Sequence, residues 1–286
     1  MFECKIENTK NNILSLTQNE SNFQIYNIEG LNPPKAQINF SKIAGVDGSK
    51  FNSSKLEERN IVIYIKLHGD IEANRLYLYR FFNTKEWCKF YYKNGSRDVY
   101  IEGYVETVEV TSFTNNEVMQ VSIICPAPYF KSAEELIDDI SKALAKFKFP
   151  FSIENPIPFS TIDSSKITDV YNNSETTTGV IIEVDVQGDV NSFQIRNTET
   201  GEKIGLTYQF VKHDKIIINT NKTEKSIKLR RDGVESNIFT AIQKDSTFFQ
   251  LDIGDNYFSY IVNGSSQDDN DLLHIVFKHY TLYRGV

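Results

Sequence analysis

Cysteine is scarce, with three residues in 286, and Cys4, Cys88 and Cys125 lie far apart. No C-x-x-C occurs, so neither a zinc knuckle nor a dithiol redox pair is encoded. Three reduced thiols acting as small hydrophobes are the expectation. Histidine is nearly as rare. None of His68, His213, His274 and His279 has a histidine two or four residues away, which argues against a His-rich metal site. Walker A, G-x-G-x-x-G and G-x-S-x-G patterns are all missing, which removes the commonest nucleotide and hydrolase readings. Basic charge is not gathered into a run: 31 Lys and Arg face 38 Asp and Glu, for a formal net charge of −7. Binding nucleic acid through phosphate contacts is therefore disfavoured. No apolar run approaches the length of a membrane span. The start, M-F-E-C-K-I-E-N, lacks the basic and apolar regions of a signal peptide, so a soluble chain made in a cytoplasm is expected.

What the chain does have is aromatic weight: 20 Phe and 15 Tyr against one Trp, Trp87. Flat rings pack well on pleated surfaces, which favours strands. A chain of this length holds one large core or two ordinary ones, and two is the better expectation. Residues 2–40 read as short strands, broken at Asn11-Asn12 and again at Asn32-Pro33-Pro34. Residues 45–54, rich in Gly, Ser, Asp and Asn, read as a loop. The β-branched run 61–67 predicts a strand buried on both faces. Asp70 is placed to cap a helix over 71–82, with Ile71, Leu76, Tyr79 and Phe82 near helical spacing. Val99, Ile101 and Val105 alternate with Tyr100, Glu102 and Tyr104, giving a half-buried strand with a bulge at Gly103. Asn115-Asn116 reads as the connection to a strand through Met119, Val121, Ile123 and Cys125. A second helix is predicted over 132–147, from a Ser132/Glu135 capping box and an apolar stripe through Leu136, Ile140 and Phe147. The stretch 150–158, with its prolines, marks the domain boundary. Beyond it, short strands over 180–186, 204–206, 216–218, 227–229, 249–253, 257–262 and 273–277 are separated by turn residues. That pattern predicts an antiparallel sandwich.

Chemistry is harder to find. Glu57-Glu58 and Asp138-Asp139 are adjacent acids, and adjacent residues point apart more often than they face one another across a sugar. The acidic stretch 267–271 (Q-D-D-N-D) offers oxygens to calcium, yet lacks the glycine and distal glutamate of an EF-hand, so a polar loop is the competing reading. Arg59 and Arg97 each flank an apolar strand beside an acidic neighbour, Glu58 and Asp98. Both are candidate subunit-interface residues, because a planar fork suits bidentate pairing, and an intrachain salt bridge is the alternative for each. No catalytic, cofactor or metal residue is assigned.

One set of landmarks has order as well as content. G-V-D-G-S at 45–49 is followed by Arg59 before a hydrophobic strand, the acidic helix start G-D-I-E at 69–72, and Arg75 near Leu78-Tyr79. R-D-V-Y-I-E-G-Y-V-E follows at 97–106 and C-P-A-P-Y-F at 125–130. The series resembles the phage tail family, the distal tail proteins of siphophages. Looser likenesses at 197–202, 251–256 and 283–286 extend it over nearly the whole chain. The resemblance implies a mainly β chain with minor α. Residues 1–148 would be a ring-forming split β-barrel with a helix and 149–279 a galectin-like antiparallel β-sandwich; the aromatic content and terminal Gly-Val of 280–286 add the expectation of a tail returning to the first domain.

It further implies a structural virion protein at the tail tip or baseplate, synthesised in the bacterial host cytoplasm, with no enzymatic activity, cofactor or membrane. Such a protein forms a homo-hexamer between the tail tube protein and a tail-tip hub or tail-associated protein. It supports receptor-binding proteins or host-surface glycans, and DNA passes through without specific binding. Acidic side chains are expected along the bore, since a DNA channel should repel phosphate. The alternative is a carbohydrate-binding module in host-surface recognition, against which the only Trp lies in the first half. A cell-wall hydrolase and a different tail-tip component are further alternatives.

Overall fold

Alternation in β6 (Arg59–Leu67) sets the pattern for the first half of the protein. Ile61, Ile63, Ile65 and Leu67 point to one face and are fully buried, while Val62, Tyr64 and Lys66 on the other are only partly covered. Burial on both faces was expected; one face is what this antiparallel sheet supplies. The computed structural model describes residues 2–19, 21–110, 117–140, 167–263 and 272–286. The chain divides into two compact units, Met1–Ala133 with Leu282–Val286, and Glu134–Thr281.

The first unit contains β1 (Phe2–Asn8), β2 (Ile13–Leu16), β3 (Phe23–Glu29), β4 (Ala36–Ser41), β5 (Lys50–Leu56) and β6. After helix α1 (Ile71–Phe81) come β7 (Trp87–Asn94), β8 (Arg97–Val110), β9 (Val118–Cys125) and β10 (Phe130–Ser132). Its main sheet runs β2-β1-β7-β8-β9-β6-β3, while β4 and β5 form a separate two-stranded hairpin. Lys50 onward is therefore strand rather than the expected loop. The helix behaves as its sequence suggested: Asp70 accepts from the Ala73 N–H at 3.1 Å, and Leu78 and Phe81 bury its inner face. The bulge in β8 falls between Val105 and Thr107, not at Gly103. Gly103 serves close packing instead, since a Cβ there would lie 2.7 Å from the Ile124 carbonyl and 2.8 Å from the Cys125 sulfur.

The helix expected over 132–147 does not form in its described part. Ser132 ends β10, paired with Val99, and β11 (Leu136–Asp139) is an extended edge strand. Helix propensity and a capping box are local preferences. Here they lose to ladder pairing at both ends, with β8 on one side and with β20 (Leu273–His279) on the other. Of the apolar stripe, only Ile140 is buried among the described residues, while Leu136 and Ile137 stay exposed. Residues 141–147, the Asn115-Asn116 connection, the 150–158 boundary and the acidic stretch 267–271 lie outside the described residues.

The second unit adds β12 (Thr168–Asn172), β13 (Ile181–Val186), β14 (Val190–Asn197), β15 (Lys203–Phe210), β16 (Lys215–Asn219), β17 (Ser226–Arg231), β18 (Val234–Asn237) and β19 (Gly254–Val262). Two sheets, β11-β20-β13-β16-β17-β18 and β12-β19-β14-β15, contribute to a single hydrophobic core. Phe258 of β19 meets Phe277 of β20 edge-on at 4.8 Å between centroids, and Phe249 lies 5.1 Å from Phe258. This is the expected sandwich. Residues 249–253, expected as a strand, contribute only an isolated bridge from Leu251 to Thr178. The last strand, β21 (Leu282–Tyr283), belongs to the first unit and pairs with β10.

Candidate assembly interface

Arg59 opens β6 opposite Cys125 of β9, and its side chain turns inward, leaving the residue 3% exposed. Its Nε donates to the Pro128 carbonyl at 2.9 Å, Nη1 to those of Asn32 at 2.7 Å and Gly30, and Nη2 to that of Arg284 at 2.5 Å. The guanidinium carbon sits 4.5 Å from the centre of the Phe130 ring. A planar fork with five donors can hold four carbonyls from three chain segments at once, one more than the three donors of an ammonium can serve. Burial pulls its pKa below the usual arginine value, with a smaller opposing contribution from Cys125.

Arg97 opens β8 and reaches the same terminal segment. Its Nη1 donates to the Gly285 carbonyl and its guanidinium lies 4.6 Å from the Tyr283 ring centre. The Val286 N–H closes the arrangement by donating to the Leu31 carbonyl at 3.1 Å. The two arginines singled out in the sequence thus converge on the last residues of their own chain. Asp98, the acid beside Arg97, is engaged by Lys93 at 2.9 Å. Arg59 is spent on the loops and terminal segment it fixes, whereas Arg97 is half-exposed.

The surface feature that sequence reading missed is the β4–β5 hairpin. Ile38, Phe40 and Phe51 stand on one side at 51%, 58% and 56% exposure, and Ile43 and Val46 crown the tip. Phe40 and Phe51 meet edge-on at 6.3 Å. On the other side, Asn39 donates to Ser53 at 3.1 Å and Asn52 to Ser41 at 2.5 Å. A two-stranded hairpin is marginal alone in water, and exposed apolar clusters mark interaction sites. The alternating signal was present in A-Q-I-N-F-S, but the Ser- and Asn-rich return strand reads as loop.

The remaining candidates form no reactive centre among the described residues. His68 Nε2 pairs with Gln24 Oε1 at 2.8 Å, and His213 occupies a turn with φ of 75°. His274 pairs with Asp139 at 3.0 Å, and buried His279 lies 3.3 Å from Asp138 without hydrogen-bond geometry. Burial raises all three thiols far from reactivity, Cys88 and Cys125 to about 12. No group of three or more His, Cys, Asp or Glu is placed to hold a metal ion among the described residues.

Two family models match the chain: a phage tail protein RIFT-related domain over residues 14–125, and a siphovirus-type tail component C-terminal domain over residues 173–278. The chain belongs to the phage tail family of siphovirus-type tail components. The crystal structure of the SPP1 Dit protein is similar over 98% of both chains, with a TM-score of 0.70 at 12% identity. A chain of the phage P2 baseplate in its activated conformation with Ca covers 98% of both chains, with a TM-score of 0.59 at 14% identity. The strontium form of that baseplate gives 0.58 at 13% identity, covering 97% of this chain and 98% of that one. At such identities the likeness shows a shared fold. No curated protein sequence matches. This tail component thus carries the family's two domains in order, and its family is one of structural tail proteins.

Proposed function

We propose that this tail component closes into a hexameric ring at the tail tip, between the tail tube and a hub that carries adsorption proteins. The observation that carries the reading is the hairpin: an apolar-faced arm with nothing covering it among the described residues of one chain. A repeated contact between two different patches of neighbouring copies generates a ring when the rotation closes. The fold likeness to SPP1 Dit, described as a paradigm of a hub adsorption apparatus in phages infecting Gram-positive hosts, supports a place at that hub. The role is mechanical, so no catalysis is assigned; tube on one face and hub on the other are the partners, with DNA passing through the bore. Adsorption proteins or surface glycans are the partners assigned to the second unit. Light scattering of the purified chain is expected to give six copies per particle, and electron microscopy a six-fold ring. A monomer at all concentrations, or a stable trimer, would overturn the reading.

A further inference from the structure

A closed ring needs two unlike patches on every copy, one for the neighbour on each side. The first unit exposes an apolar face on its hairpin and a second on α1. On the helix, Leu76 and Tyr77 remain 47% and 42% exposed, with Tyr77 stacked on Phe23 of β3 at 5.5 Å. Aromatic and aliphatic side chains of this kind form the buried centres of interfaces. Charge distinguishes the two patches. From Lys35 to Lys55 the arm carries four exposed lysines against one aspartate, in a chain whose formal net charge is −7. The exposed start of α1 is acidic, with Asp70 as N-cap and Glu72 in the first turn, while at its far end exposed Arg80 donates to the Leu76 carbonyl at 3.1 Å.

We propose that the β4–β5 hairpin of one copy seats on α1 of the next, Ile38 and Phe40 against Leu76 and Tyr77, lysines beside Glu72. This rests on the ring reading and names the two surfaces that make it. Complementarity of charge orients the arm and raises the rate of encounter, while the apolar contact holds it. A basic arm could instead grip DNA phosphates. The uncovered aromatic side chains favour a protein partner, since phosphate contacts leave such surface in water.

The test is a double variant of the full chain, Ile38→Cys with Leu76→Cys. The native thiols are buried and silent. Mild oxidation is expected to give a reducible ladder of covalent oligomers up to the closed ring, whereas either single variant stops at dimer. A double variant that stops at dimer, in particles of wild-type mass, overturns the pairing and leaves the ring standing. A monomeric wild-type chain overturns both. Charge reversal is the second arm: Glu72→Lys, or Lys42→Glu with Lys50→Glu, should each weaken assembly about tenfold, and their combination should recover most of it. Wild-type particles that retain duplex DNA, with the lysine variant losing DNA but not assembly, would overturn the proposal in favour of a nucleic-acid arm.

Discussion

Arg59 concentrates more backbone carbonyls than any ordinary surface arginine, and its worth lies in what its removal strands. Carbonyls of Gly30, Asn32, Pro128 and Arg284 all accept from it. An unpaired buried acceptor costs about 1–3 kcal/mol, less where water can reach it. Arg59→Ala is therefore expected to destabilise the first unit by roughly 2–4 kcal/mol. Arg59→Lys should recover only part, because an ammonium cannot span the same set. Urea midpoints measure both, and an unshifted midpoint for the alanine variant would mean the carbonyls rehydrate freely. Asp214 plays a comparable role in the second unit, where Arg231 donates to it at 2.7 and 2.5 Å. Burial pushes its pKa up, but Arg231 and the Val211 N–H outweigh that and hold it below the usual carboxylate value. A depressed folded pKa gives stability above the unfolded value, near pH 4, and loses it as pH falls through the folded one. Asp214→Asn should lower stability at pH 7, with the gap to wild type narrowing below about pH 4. A constant gap across that range would exclude the linkage.

At the scale of elements, what the sequence made legible was what neighbours along the chain decide. Asp70 capping α1 is such a case, and so is the alternation in β6, β13 and β19, which needs no knowledge of the partner strand. What stayed illegible was decided from afar. Ser132 and Glu135 spell a helix start, yet pairing of Ser132 with Val99 and of Leu136 with His279 holds that segment extended. Strand β14 escaped because the irregular register between Val190 and Ser192 breaks its alternation. Gly103 was legible as a constrained position but not for its reason. Read as a bulge, it should tolerate a small side chain; read as close packing under Ile124 and Cys125, it should not. Gly103→Ala is expected to cost about 1–3 kcal/mol, the usual range for overpacking. Thermal unfolding decides, since a neutral effect would require β9 to shift at no cost.

For the whole molecule, the decisive fact is that the second unit is an insertion rather than an appendage. The chain leaves the first unit after Ala133 and rejoins it at Leu282. Those ends are neighbours, because Phe130 pairs with Tyr283 and Lys131 with Leu282 across β10 and β21. Only tertiary pairing reveals this; in sequence, the return rests on the aromatic content and terminal Gly-Val of residues 280–286. The terminus then completes the first unit: Arg59 and Arg97 hold the Arg284 and Gly285 carbonyls, and Tyr283 and Val286 pack on the core. Replacing residues 134–281 by a short Gly-Ser turn should therefore leave a first unit that unfolds cooperatively and still assembles. Ending the chain at Ala133 removes the strand partner of Phe130 and an acceptor from each arginine. That variant should unfold earlier by several kcal/mol, the sum of lost apolar contact and stranded donors. Equal melting of the two truncations would show that the terminal segment is an ornament on the first unit, and would leave the convergence of Arg59 and Arg97 without mechanical consequence.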